Sequence, residues 1–128
     1  MSETNNQDLN KKTVLELIKT NLGNNYDDFD AMLLTIINGH YAKIMDLSFV
    51  SEVLIDKDTT MEDLVKEPNT KKRLEVQQAL TLRTQLTFDP PQNEYSVRAI
   101  KEMADEVEAR LSSDSRREVA IFGEVSNS

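Results

Sequence analysis

The segment "TFDPPQNEYS", Thr87 to Ser96, decides the fold because it divides a long stretch of helix-favouring sequence into two halves. Its two adjacent prolines lack backbone N–H donors and disfavour helix in the residue before them, so the segment forms a turn. Apolar residues recur at helical spacing on both sides. The sequence therefore predicts an all-α fold built on a helical hairpin over residues 68–114, whose helices run from Thr70 to Thr87 and from Ser96 to Ser112.

The second helix of the hairpin carries a heptad seam, in which apolar residues alternate at spacings of three and four: Val97, Ile100, Ala104, Val107 and Leu111. Such a seam packs against a single partner while the other faces stay solvated. We assign these five residues to a core or an oligomer interface.

The region before the hairpin, residues 9–67, is predicted to be helical, after a disordered tail at residues 1–8. The first helix runs from about Leu9 to Leu22, with Asp8 or Asn10 as its N-cap. Gly23 follows in the position of a helix C-cap.

A second helix begins near Asp27 or Asp28, and its apolar stripe passes Gly39 without losing phase, which favours one long helix. The stretch Ser48–Ile55 is compatible with a helix or a strand, and its apolar spacing favours the helix. Thr60 and Asp63 match the capping-box pattern at the start of a short helix that ends at Pro68.

The last segment, residues 115–128, is predicted to contain a β-strand, because the consecutive apolar residues Val119, Ala120, Ile121 and Phe122 are typical of a buried strand. Ser48–Ile55 is the only other candidate strand in the chain. We therefore expect the terminal strand to pair with its copy in another subunit, with Val119, Ile121 and Phe122 in the interface. Closing such strands into a ring would remove their unpaired edges.

Composition favours a small acidic binding protein inside the cell, in the host cytoplasm if the chain is viral. The 128 residues are 38% hydrophobic and 30% charged, the net charge is −8, and residues 1–64 carry 12 acids against 5 bases. An acidic surface suits a basic protein partner better than phosphates. No stretch is long and apolar enough to predict a membrane span.

Residues that could carry catalysis are scarce, so we expect no enzyme, no cofactor and no metal. The chain has no cysteine, and its one histidine is His40. Residues Asp56–Glu67 place oxygen-bearing side chains at the spacing of an EF-hand loop, but Met61 stands where that loop needs glycine. The capping box starting at Thr60 explains the same residues better.

A basic run, Lys71, Lys72 and Arg73, opens the first helix of the hairpin. Such a run can contact phosphates, so these three residues are the candidate nucleic-acid-binding residues. A solvated helix end is the alternative, and no aromatic residues are interleaved to stack on bases.

The order of elements, with a hairpin around "TFDPPQNEYS" and the tail "REVAIFGEV", resembles the small terminase subunits of tailed bacteriophages. The resemblance covers about residues 70–125 and is one of topology. It implies a homo-oligomeric ring that holds viral DNA and regulates a packaging ATPase. The alternative hypothesis is an acidic adaptor or inhibitor that docks on a basic protein.

Overall fold

The computed structural model describes residues 12–24 and 26–127, and their side chains as far as Arg117. The fold of this part is helical, and its five helices are α1 (Val14–Leu22), α2 (Asp30–Leu47), α3 (Met61–Leu64), α4 (Thr70–Phe88) and α5 (Glu94–Asn127). The one β-type contact in the described ranges is a single bridge between Thr13 and Thr60.

The hairpin predicted from the proline turn is present, and its first helix lies at the centre of the molecule. α4 packs against all four other described helices, most extensively against α5. Asn69 caps α4 through its side-chain oxygen, which accepts from the Lys72 backbone N–H at 3.0 Å. One hydrophobic core joins the N-terminal region to the hairpin, and its members range from Val14 to Leu111.

The sequence predicted the last residue of α1 and the continuity of α2, but α1 begins at Val14 and not near Leu9, since Lys12 and Thr13 are not helical. Gly23 adopts a left-handed φ of 72° at the end of α1, which a residue without Cβ tolerates. Thr13 caps the start of α1, accepting from Glu16 N at 3.1 Å, while the predicted caps Asp8 and Asn10 lie outside the described residues. α2 runs without interruption past Gly39, as its apolar stripe predicted.

The helix expected at Ser48–Ile55 is wrong: this stretch is irregular and extended. Its backbone groups bond to neighbouring elements instead of to each other. The Asn38 side chain on α2 binds both backbone groups of Ile55, each at 2.8 Å, and the Tyr41 hydroxyl donates to the Ser51 carbonyl at 2.6 Å. The capping box that follows is confirmed, with Thr60 N donating to Asp63 Oδ2 at 2.9 Å.

The terminal β-strand is also wrong, because α5 continues through that segment to Asn127. No proline interrupts residues 112–127, and Gly123 in a helix interior costs only about 1 kcal/mol. A helix satisfies its backbone groups within one segment, whereas a lone strand needs a partner. At the start of this continuation Ser115 is buried and donates to Ser48 Oγ at 3.0 Å, which ties α5 to the end of α2.

Candidate interaction surface

The heptad seam of α5 is used inside the chain. Ala104, Val107 and Leu111 are fully or almost fully buried, and Val97 and Ile100 are partly buried. Because α5 packs against α4 and α2, the three buried side chains are covered by this chain's own helices. They belong to the core and are not exposed to a second copy.

The other predicted interface residues, Val119, Ile121 and Phe122, lie in the helical backbone of α5. Their side chains are outside the described part of the structure. Their role in assembly stays a prediction, and it now concerns a helix.

The basic run at the start of α4 makes structural contacts. Lys72 is 6% exposed, and its ammonium lies 3.0 Å from Glu67 Oε1. The pKa of Glu67 is lowered, first by a hydrogen bond from its own backbone N–H and second by this contact with Lys72. Arg73 Nε donates to the Val65 carbonyl at 2.9 Å, and Lys71 pairs with Asp114 at 3.5 Å. Lys72 and Arg73 tie the start of α4 to the segment before it, and Lys71 pairs across the hairpin, so the three side chains do not form one exposed basic patch.

A polar cluster joins α2, α4 and α5 around Arg83. Its guanidinium forms a two-pronged pair with Glu108, at 2.9 and 2.8 Å, and also donates to Asp105 Oδ1 at 2.6 Å. Lys43 Nζ reaches the same Glu108 at 3.1 Å. The side chains of Arg83 and Glu108 are only 14% and 9% exposed, and the Arg83 hydrogen bonds hold the pKa of Glu108 below its usual value.

His40 lies beside this cluster, and its Nε2 is 2.9 Å from Thr87 Oγ1. Burial lowers the pKa of the imidazole, and the positive charge of Arg83 lowers it further. Thr87 itself donates to the Arg83 carbonyl at 3.0 Å, so this hydroxyl accepts from His40. These contacts place the histidine in a link between α2 and α4.

Two carboxylates in the stretch Asp56–Glu67 are engaged in local structure, one in a turn and one in a helix cap. Asp56 Oδ1 accepts from Asp58 N at 2.8 Å and from Thr59 Oγ1 at 3.0 Å, which lowers the pKa of Asp56. Asp63 caps α3. In the described ranges, no three histidine, cysteine or acidic residues are grouped as metal ligands.

An exposed apolar groove runs along the second half of α2 and the irregular segment that follows it. We call this groove the Leu54 surface; it encloses about 530 Å³ and is lined by Asn38, Ala42, Met45, Asp46, Glu52, Val53 and Leu54. Leu54 is 78% exposed, and Phe49, earlier in the same segment, is 55% exposed. An exposed apolar side chain beside a groove is a feature of some interaction sites.

Two of these features were missed at the level of sequence. The Arg83–Glu108 pair joins positions 25 residues apart, and only the antiparallel hairpin brings them together. Leu54 was missed because a helix was expected there, which would have turned its apolar residues inward. The dense β-branched and aromatic content of Ser48–Ile55 was the available signal against that helix.

The sequence model of the phage connector protein family matches residues 14–118, from the first residue of α1 into the last part of α5. The chain belongs to the phage connector protein family. No curated protein and no solved structure matches it.

The family match supports a phage protein related to head assembly and DNA packaging, but it does not point to small terminase subunits specifically. Other phage proteins are the partners that such a family suggests. Within the described residues, no helix has the length and apolar character needed to cross a membrane.

Proposed function

We propose that this connector-family protein is a non-enzymatic structural component of a phage head, which assembles with copies of itself and joins other phage proteins. The observation that carries the proposal is the family match, which covers all of α1 to α4 and most of α5. In this proposal the protein acts by binding other proteins through surfaces that are already ordered in the free chain.

The arrangement of charged groups supports a binding role. The buried charges around Arg83 are paired with one another between three helices, and that geometry suits a rigid scaffold. The one histidine is hydrogen-bonded to a threonine that is itself bonded to backbone. Exposed apolar side chains lie outside this cluster, and one of them, Leu54, lines the Leu54 surface.

A more specific hypothesis is that the protein holds DNA and regulates a packaging ATPase. It rests on the resemblance to small terminase subunits. The contacts of Lys71, Lys72 and Arg73 lend it no support, because all three bond within the chain. A gel-shift titration with linear duplex DNA at low salt tests it. Binding that weakens steeply with salt would favour DNA contact through this or another basic surface.

A monomeric acidic adaptor is the second candidate function. The observation that favours it is the acidic border of the Leu54 surface, where Asp46 and Glu52 line the groove. Such a border suits a basic partner of any origin.

The test of the main proposal has a physical and a biological part. Size exclusion with light scattering should give a mass several times the 14.6 kDa of one chain. Deleting the gene from the phage or prophage that encodes it should leave incomplete particles in electron micrographs, and a plasmid copy should restore them. Normal particles after deletion would contradict a structural role, and a monomer with incomplete particles would favour the adaptor.

A further inference from the structure

A buried carboxyl group on α4 has no hydrogen-bond partner among the described residues. Glu75 is only 5% exposed, and in that part of the chain no donor is hydrogen-bonded to its Oε1 or its Oε2. Burying a polar group is destabilising unless other donors replace the water that it loses. The two oxygens of Glu75 therefore require donors that the described side chains do not provide.

Glu75 faces a small cavity, which we call the Glu75 cavity. It has a volume of about 30 Å³ and lies where the end of α2, the start of α4 and the later part of α5 meet. Only one side chain of its lining, that of Leu111, lacks a polar group, so an occupant can form hydrogen bonds in several directions. The lining residues are Ser48, Asn69, Lys71, Lys72, Glu75, Leu111, Asp114 and Ser115.

The size of the Glu75 cavity limits what it can hold. A buried water molecule needs roughly 10–15 Å³ of such space, so about 30 Å³ has room for one or two waters. An organic molecule of more than a few atoms is too large. The occupant is therefore a water molecule or an ion of similar size.

The charges around the cavity favour a neutral occupant. Two ammonium groups, on Lys71 and Lys72, and two carboxyl groups, on Glu75 and Asp114, belong to the lining. Lys71 lies 3.5 Å from Asp114, and Lys72 lies 3.0 Å from Glu67, whose side chain is 51% exposed. A cation entering the cavity would meet both ammonium groups, and their repulsion opposes its binding.

Water supplies the kind of hydrogen bond that the carboxyl group lacks. A water molecule donates two hydrogens, whereas an ionised carboxyl group only accepts. In the same lining the buried Ser115 donates to Ser48 Oγ at 3.0 Å, so the hydroxyl hydrogen of Ser48 can turn toward the cavity. A water between Glu75 and this pair can make about three hydrogen bonds, which is the usual number for a buried water.

We propose that one or two ordered water molecules bind in the Glu75 cavity and connect the Glu75 carboxylate to the Ser48–Ser115 pair. The bound water joins α4 both to the end of α2 and to α5. It adds a third link at this junction, beside the direct hydrogen bond between the two serines and the pairing of Lys71 with Asp114. This site is independent of whether the protein assembles.

Magnetic relaxation dispersion of the solvent oxygen nucleus tests the proposal in solution, because it counts the long-lived internal waters of the full chain. Glu75→Leu removes both acceptors, and Glu75→Gln keeps a polar group of the same shape. Glu102→Leu, at an exposed residue of α5, is the matched control. We expect the count to fall by one or two waters in Glu75→Leu and to stay at the wild-type value in the control. Glu75→Gln should retain at least one of these waters.

A crystal structure of the wild-type chain tests the position of the water without any variant, so the proposal stays testable if Glu75→Leu fails to fold. We expect water density about 2.6–3.2 Å from the Glu75 oxygens, in hydrogen-bonding reach of Ser48 as well. Crystals soaked in rubidium chloride distinguish water from a monovalent cation, since bound rubidium gives an anomalous peak. We expect no such peak in the Glu75 cavity.

Three results would each overturn the proposal. The first is an anomalous rubidium peak in the cavity, which would assign the site to a cation. The second is a crystal structure in which Glu75 binds Lys71 or Lys72 directly and the cavity contains no water. The third is a count of long-lived waters that is the same in folded Glu75→Leu as in the wild type.

Discussion

Replacing Arg83 by methionine should destabilise the fold by about 2–3 kcal/mol, because it leaves the buried carboxylate of Glu108 without its main partner. Removing one member of a buried pair costs about 3–5 kcal/mol in general. The expected value lies below that range, since Lys43 remains 3.1 Å from Glu108 and is itself 56% exposed to solvent. Asp105 loses an ion pair too, but its side chain is 58% exposed and adds little.

The loss is measured by urea unfolding at pH 7, monitored by circular dichroism. An unchanged slope of the unfolding free energy against urea concentration shows that the variant exposes the same surface on unfolding. A double-mutant cycle with Glu108→Leu isolates the pair. The double variant should be clearly more stable than the sum of the two single losses predicts. Lys43→Ala is the control and should cost below about 1 kcal/mol.

The same variant should change the pH dependence of stability. The folded-state pKa of Glu108 is lowered, chiefly by its Arg83 hydrogen bonds, so its contribution is present above the unfolded pKa and is lost as the pH falls through the folded pKa. Without Arg83 the loss of stability below about pH 4 should be shallower. Three results would each refute this account of the cluster. They are a loss of stability under about 0.5 kcal/mol at pH 7, additive effects in the double-mutant cycle, and an unchanged dependence of stability on pH below about pH 4.

Four further substitutions test local features by their effect on stability. Gly39→Ala should stabilise the fold by about 1 kcal/mol, because an added Cβ inside α2 meets nothing within 4 Å. Gly23→Ala should destabilise the fold because Gly23 has a positive φ. Equal effects of the two substitutions in urea unfolding would contradict this. Asn38→Ala should cost about 2–3 kcal/mol and speed amide exchange at Ile55, and unchanged exchange would show that Asn38 does not hold the segment. Val107→Asp should cost several kcal/mol, and wild-type-like melting would refute its place in the core.

The hairpin could be predicted because its determinants are local. Two prolines at the turn, Asn69 at the start of α4 and the glycine after α1 each act within a few residues of where they stand. The capping box at Thr60 is equally local. Such signals do not depend on the rest of the fold, so single-sequence reasoning finds them.

The irregular segment at Ser48–Ile55 could not be predicted in this way because distant side chains decide it. Asn38 lies 17 residues before Ile55, and Tyr41 lies 10 before Ser51. A polar residue inside a helical stripe is ordinarily a solvated position, and only the packed structure shows that Asn38 supplies the hydrogen bonds of another segment. These contacts hold the segment that forms one side of the Leu54 surface.

The change from strand to helix at the end of the chain alters the physical argument for assembly. A lone strand needs a partner for its backbone, whereas the backbone of α5 is satisfied within the helix and makes no such demand. Any remaining demand comes from composition, since residues 119–122 are four consecutive apolar residues. Such a composition favours burial against another surface. Removing residues 117–128 should therefore lower the helical signal as well as the assembled mass, where a strand would have left the helical signal unchanged.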